Sequence, residues 1–397
     1  MNFIFISPQF PRVYWNFCDR LKKKGVNVLG IGDTPYDQLA HEVRESLTEY
    51  YFVPSLADYD QMLRAVAFFT FKYGRIDWLE SNNEYWLTSD ARLRTDFNIR
   101  TGWQTGDMDH IKNKSAMKPF YKKAGIPTAR LTKVTTLAAA EEFLAEVGYP
   151  VIVKPDTGVG ATDTYRIDNH DELRHFYASK PTVPYVMEEF VTGDICSYDA
   201  IVDADANPIF ESMTVWPPSV MDIVLYQLDL SYYTTDIVPD ALKKAGRATL
   251  KAFHVHSRFV HLEFFRLTKE KPGLGAVGDF VGLEVNMRPA GGYTTDMMNY
   301  AHSTDVYEIW ADMITANRRL LPDRSEHCYC AYASRRDFHR YVHTHEDILA
   351  RYAGKIVMCE RMPEMMWPQM GNHMYTAKLD GQAETDEFIR FVQEQQG

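Results

Sequence analysis

Cysteine is scarce, with five in 397 residues. An odd, sparse set in a chain this long does not build a disulfide framework and fits a reducing compartment, so a cytoplasmic location is the expectation. No apolar run reaches the ~20 residues that a membrane helix needs. The first ten residues, MNFIFISPQF, place no basic leader before their short apolar run and read as a first strand, not a signal peptide. Positive charge is in deficit: 43 Lys and Arg against 54 Asp and Glu give a net charge of -11. That disfavours broad binding to nucleic acid or to anionic membranes, while leaving a local basic cleft possible. Internal repeats and low-complexity linkers are missing. So is a full glycine fingerprint for dinucleotides; Gly30 and Gly32 read as turn glycines. Cys328 and Cys330 lie near His327, but no second ligand pair matches them, and they read as small residues of a strand.

What is present is an alternation of strand and helix. Phe3 to Ile6 and Val26 to Ile31 are short apolar runs, with a helix over Val13–Lys24 between them that stops at Gly25. Tyr50 to Val53, a helix around Gln61 to Tyr73, Ile76 to Glu80 and a polar helix from Glu84 to Phe97 continue the pattern. Such alternation predicts an α/β fold with a parallel, Rossmann-like sheet over residues 1–108. A basic helix from His110 is stopped by Gly125 with Pro127 beyond it, and a second, Thr136 to Val147, by Gly148. Residues 109–322 form a second unit and 323–397 a small C-terminal α/β cap.

Three stretches carry candidate chemistry. Gly282 to Gly292 reads GLEVNMRPAGG. In a strand, Glu284, Asn286 and Arg288 share one face. A carboxylate beside an amide oxygen suits a hard cation, and an Arg one step on can grip a phosphate or carboxylate with two bonds. The bland alternative is a strand with a solvated polar face. FVHLEFFRL from Phe259 puts His261 and Glu263 on one face, and the turn between this run and the next makes a hairpin that brings Glu263 near Glu284. Finally, Val151 to Val153 ends in Lys154, followed by a small-residue turn, Asp156 to Ala161. Such a turn can fold its amides over phosphates, although glycine hairpins are common without that role.

In order along the chain stand Lys114 on a helix before GIPT, IVKP with Lys154, a small-residue loop, MEEFVTG from Met187, HLEFF with Glu263, and LEVNMRPAGG. Together these motifs resemble the ATP-grasp superfamily. They look most like its carboxylate–amine ligase branch, related to L-amino acid ligases, carnosine synthase and the carbamoyl-phosphate synthetase large subunit. The resemblance covers most of the chain and implies a pre-ATP-grasp domain, two ATP-grasp lobes with ATP between them, and a C-terminal lid. It implies that Lys114 and Lys154 pair with ATP phosphates under a loop from Asp156 through Gly158 and Gly160. Glu188 would accept from the adenine amino group, with the Glu189 to Val191 backbone completing the base edge. Glu263, Glu284 and Asn286 would hold Mg²⁺, or Mn²⁺ in its place. Arg288 would stabilise the transferring phosphoryl group and face the substrate carboxylate together with Gly291 and Gly292.

Two departures stand out. Ile195 occupies the position where relatives often carry an acid for the ribose, so Asp194 or Asp199 would have to take over that contact. The phosphate loop is also short. The amine-deprotonating base is not named by any motif; His261 and His302 are the nearest candidates, and each also reads as structural. The implied partners are a small carboxylate and an amine, in a chain that commonly dimerises among such relatives. Two alternatives remain: a bicarbonate-activating or carbamoyl-phosphate-type enzyme, and a non-catalytic ATP-binding module. Ser212 to Tyr233, rich in Trp, Pro, Met and Tyr, is the stretch expected to line the substrate end.

Overall fold

The computed structural model describes residues 1–397 apart from 159–162, 181, 218–226, 325, 327 and 397. Among the described residues, sixteen strands form three sheets. The first holds β1 (Asn2–Ile6), β2 (Asn27–Gly32), β3 (Glu49–Phe52) and β4 (Trp78–Glu80), all parallel, in the order β3-β2-β1-β4. Phe3, Ile4, Phe5 and Ile6 are all buried, as a parallel strand covered by helices on both faces requires. The helix Tyr59–Tyr73 starts where the Asp58 side chain accepts from the Asp60 and Gln61 amides, and Gly74 ends it at φ +80°.

A second sheet comprises β5 (Leu131–Lys133), β6 (Val151–Pro155), β7 (Tyr165–Ile167) and β8 (Tyr185–Glu189), in the order β5-β8-β6-β7. The third is antiparallel and larger. It contains β9 (Gly193–Val202), β10 (Pro208–Trp216), β11 (Ser231–Thr235), β12 (Arg258–Leu267), β13 (Phe280–Asn286), β14 (Tyr329–Arg335), β15 (Ile356–Arg361) and β16 (His373–Leu379). Their order is β13-β12-β9-β10-β11-β14-β16-β15. The C-terminal strands therefore continue the central sheet through β11 and β14, with Tyr232 opposite Tyr332.

The central sheet separates greasy from polar by parity. Cys196, Tyr198 and Ala200 on β9, Val260, Leu262 and Phe264 on β12, and Val285 on β13 join one core under the helices Lys114–Ala124 and Asp240–Ala252. Residues of the other parity face away from those helices, and they include His261, Glu263, Glu284 and Asn286. Gly282 is needed where β13 passes Tyr121, since a Cβ there would lie 2.5 Å from the Tyr121 ring.

A buried ion network joins the first sheet to the third. Glu80, at the end of β4, accepts from Arg94 Nη2 at 3.0 Å and from Arg258 Nη2 at 2.6 Å. Arg258 Nη1 in turn donates to the Met287 carbonyl at 2.6 Å, one residue before Arg288. Burial works against the Glu80 charge, but Arg258 and Arg94 outweigh it and hold the carboxyl below its ordinary range. Nearby Asp90 receives the Ser81 N–H and hydroxyl on Oδ2, while its buried Oδ1 has no partner. Burial, with the Glu80 charge, pushes this carboxyl from 3.8 up to about 7. An acid whose pKa is higher folded than unfolded stabilises the fold fully only below its unfolded value. Thermal stability is thus expected to fall as pH rises from about 4 to about 7, and Asp90→Asn should flatten that slope in melting curves across pH. An equal slope in the variant would assign the dependence to other groups.

Candidate active site

A cavity of about 610 Å³ lies between the second sheet and the polar face of the third. Its floor is the hairpin β12–β13, in which Glu263 stands opposite Glu284 and His261 opposite Asn286. Asn286 Nδ2 is 3.3 Å from Glu263 Oε1, and Arg288 Nη2 is 3.3 Å from Asn286 Oδ1. Lys114 reaches in from the N-terminus of the helix Lys114–Ala124, its Nζ 3.2 Å from Glu284 Oε1 and 3.4 Å from the Gly158 carbonyl. Lys154, at the end of β6, places its Nζ 2.6 Å from Glu188 Oε2 on β8.

The electrostatics divide the two floor carboxylates. Burial raises Glu263, but its hydrogen bond to His261 and the nearby cations outweigh burial and hold it below the ordinary range. Glu284 moves the other way: burial raises it, the neighbouring Glu263 charge adds to that, and Lys114 only partly offsets them. Two half-buried carboxylates with an amide oxygen beside them are a donor set for a hard cation, whose charge would relieve the repulsion. Glu188 is buried too, yet Lys154 and Lys118 pull its carboxyl down to about 2. His261 sits between Asp199, 2.6 Å from its Nδ1, and Glu263, 3.2 Å from its Nε2. Burial opposes its charge, but those carboxylates push its pKa up to about 9.

The two ends of the cavity differ. One end is walled by Ile152, Val191, Ile195, Phe265 and Leu283 beside the chain crossing from Glu189 to Gly193, a slot suited to a flat base. The other is walled by Trp216, Leu230, Tyr232, Gly291, Gly292 and Met370. Gly292 has φ +65°, and a Cβ there would lie 3.1 Å from Met370.

Residues 111–226 match the family described as the ATP-grasp domain. That stretch of the chain is an ATP-grasp domain. A curated relative, the L-arginine-specific L-amino acid ligase of Bacillus subtilis, is 26% identical over 250 residues, 60% of this chain. The match spans 57% of that relative's length. The crystal structure of an L-amino acid ligase from Bacillus licheniformis superposes with a TM-score of 0.71 at 14% identity, covering 98% of this chain and 96% of that one. An N5-carboxyaminoimidazole synthetase from Staphylococcus aureus, complexed with ADP, superposes at 0.70 and 12% identity over 98% and 96%. The biotin carboxylase domain of the Hydrogenobacter thermophilus 2-oxoglutarate carboxylase, with MgADP and bicarbonate, does so at 0.70 and 13% over 100% and 90%.

Lys114, Lys154, Glu188, Glu263, Glu284, Asn286, Arg288, Gly291 and Gly292 all line the one cavity, as does the chain at Glu189 and Val191. The Glu189 carboxylate turns away to Arg130 and Lys271. Asp194 is not brought to the site. On β9 it shares parity with Cys196 and Tyr198 and is exposed, while Ile195 faces the cavity. Asp199 does not serve the ribose either, being fully buried between His261 and Ser197. His302 lies elsewhere, with Nε2 2.9 Å from Ser212 Oγ. Gly160 and His327 lie outside the described residues, as do 218–226 of the stretch expected at the substrate end.

Asp156 has a different task from a phosphate contact. Its Oδ1 accepts from the Ser115 amide at 2.8 Å, its Oδ2 from the Ser115 hydroxyl at 2.7 Å, and its carbonyl from the Lys114 amide at 2.9 Å. Asn113, the residue before this helix, makes no capping bond of its own, so Asp156 caps it from across the cleft and fixes Lys114. Asp156→Ala should cost about 1–2 kcal/mol of stability in chemical denaturation and weaken nucleotide binding. Unchanged stability would contradict the capping role.

Four contributing residues were missed from sequence. Lys118, 2.6 Å from Glu188 Oε1, is one helical turn from Lys114, and that i, i+4 spacing could have flagged it. Glu84 comes from the chain just after β4 of the first sheet, 3.4 Å from Arg288 Nε and 2.6 Å from Lys112. Gln369 and Met370 come from the short helix Trp367–Met370 in the connection between β15 and β16. Neither of these last two carries a local signal.

Proposed function

We propose that the chain is a carboxylate–amine ligase that uses ATP and Mg²⁺ to make an amide bond through an acyl phosphate. The observation that carries this reading is the meeting of Lys114, Lys154, Glu263, Glu284, Asn286 and Arg288 in one cavity, with a base-sized slot at one end and an apolar recess at the other. Lys114 and Lys154 bind the phosphates, and Arg288 lies between them and the recess. Glu263, Glu284 and the Asn286 oxygen are the set that would hold Mg²⁺, which supplies charge neutralisation at the β- and γ-phosphates.

The chemistry follows from charge. A carboxylate attacking the γ-phosphorus brings anion to anion, a repulsion of about 4 kcal/mol for unit charges ~4 Å apart at an intermediate dielectric. Lysines and an Arg fixed in place before the reaction offset it without reorganising. One bond forms from carboxylate oxygen to phosphorus as the bridge to ADP breaks. The amine then attacks the acyl carbon, phosphate leaves, and the amine gives up a proton. His261, bonded to Asp199 through Nδ1 and lying 3.2 Å from Glu263 through Nε2, orients Glu263.

Activation of bicarbonate is the second reading, supported by the likeness to the carboxylase and carboxyaminoimidazole synthetase structures. The recess walled by Trp216, Leu230, Tyr232 and Met370 favours a larger acid. The deciding experiment is an ADP-release screen over acids and amines with mass detection of the product. Release that requires an acid and an amine together supports the ligase. Release stimulated by bicarbonate alone supports the second reading. Slow turnover indifferent to the whole panel would leave a nucleotide-binding module.

A further inference from the structure

The C-terminal strands carry a side-chain cluster that the nucleotide cavity does not use. His345 opens the helix His345–Arg351, Cys359 lies on β15 and His373 begins β16. Cys359 pairs with Tyr375 and Arg361 with His373, so Cys359 and His373 are diagonal neighbours on one face of the β15–β16 hairpin. The helix brings His345 over that face, its ring 5.5 Å from the His373 ring. One potential ligand atom from each of the three residues lies within 4.8 Å of the other two. The sulfur of Cys359 is 3.4 Å from His373 Nε2.

That last distance is informative. With bonds of about 2.3 Å to sulfur and about 2.1 Å to nitrogen, the S···N edge of a tetrahedral site is ~3.6 Å. The Tyr375 hydroxyl, 2.9 Å from His345 Nδ1, holds the His345 ring in orientation. The nearest opposing charges are already engaged. Arg361 is paired with Asp337, and the Arg335 guanidinium lies over the Tyr341 ring while donating to the His343 carbonyl. His373 and Cys359 are half-buried, and His345 is exposed, leaving an approach from solvent.

We propose that His345, Cys359 and His373 bind a borderline-soft divalent cation, Zn²⁺ foremost, through two imidazoles and a thiolate, with water in a fourth position. Two nitrogens and a sulfur select this class over Mg²⁺ and Ca²⁺, which take oxygen. Binding displaces the thiol proton to solvent and leaves every oxidation state unchanged. The ion ties the helix His345–Arg351 to the paired strands β15 and β16, whose connection carries Gln369 and Met370, on the short helix Trp367–Met370, into the recess of the nucleotide cavity. It is a clamp behind the substrate end and takes no part in phosphoryl transfer.

The test uses the full chain with MgADP in excess, so that the nucleotide cavity is filled. Zn²⁺ is titrated against a chromophoric chelator, and Co²⁺ is used as a spectroscopic probe. Expected are one equivalent of Zn²⁺ taken up, a thiolate-to-cobalt charge-transfer band, and a rise in melting temperature with Zn²⁺. Cys359→Ser and His373→Gln should each weaken the affinity more than about 100-fold, since even outer partners of metal ligands cost 10–100-fold. Both variants should melt like the wild type without Zn²⁺, which separates lost binding from lost folding. No uptake by the wild type, or uptake and a charge-transfer band that survive in Cys359→Ser, would overturn the site and leave a thiol–imidazole hydrogen bond.

Discussion

Arg288→Ala should lower kcat for ADP release by about 10³-fold, with a much smaller change in ATP affinity. The guanidinium is already aimed: Nη1 donates to the Pro289 carbonyl at 2.9 Å, Nη2 to Asn286 Oδ1 at 3.3 Å, and Nε lies 3.4 Å from Glu84. The bend that carries it, just past the end of β13, is held by the Arg258 bond to the Met287 carbonyl. A charge fixed this way gains most of its interaction energy as the phosphoryl group is in flight, so the loss belongs in kcat and not in binding. Arg288→Lys keeps the charge but loses the planar fork, and should recover only part of the rate. Single-turnover kinetics with the best acid–amine pair make the comparison. An Arg288→Ala enzyme with unaltered kcat and a raised KM would reassign the residue to ground-state binding.

Lys154→Met is the second large effect, with kcat/KM falling by about 10²–10³-fold and stability falling as well. The stability loss has a separate cause. Lys154 and Glu188 are both buried, and burial disfavours the Lys154 charge until Glu188, with Glu284 and Glu263, pushes its pKa above the ordinary value. Removing the lysine leaves Glu188 with Lys118 alone, a change on the order of 3 kcal/mol for a broken buried pair. The double variant Lys154→Met with Glu188→Gln should regain much of the stability and none of the activity. Denaturation midpoints and ADP release, measured on the same preparations, separate the two roles. Recovery of turnover in the double variant would remove Lys154 from the phosphate site.

Much of the floor of the site was legible because a strand repeats every two residues. Glu284 and Asn286 could be put on one face, and Glu263 set against Glu284, from alternation alone, whereas the strand ends at Asn286 and Arg288 reaches the cavity from the bend beyond it. The same arithmetic, carried to β9, would have put Ile195 with Ser197 and Asp199 and turned Asp194 away; the start of β9 at Gly193 was the missing datum. Where a strand is buried on both faces, alternation vanishes. Ser231 to Thr235 are all buried, so β11 gave no readable rhythm, and the bridge it makes to β14 was not foreseen. The helices His41–Ser46, His170–Ser179 and Thr294–Ala301 also went unread, although Asn169 accepting from the Glu172 amide is a start signal for the second. Glu84, Gln369 and Met370 reach the cavity only through tertiary folding.

The run of eight strands from β13 to β15 bears on how the protein can be dissected. A fragment trimmed to the family match, 111–226, would keep β9 and β10 but lose β12 from one side and β11 from the other. Two long rows of bare amides and carbonyls would then face water, an invitation to pair with neighbouring chains and precipitate. A recombinant piece that leaves this sheet whole has to reach from Gly193 to Leu379 at least.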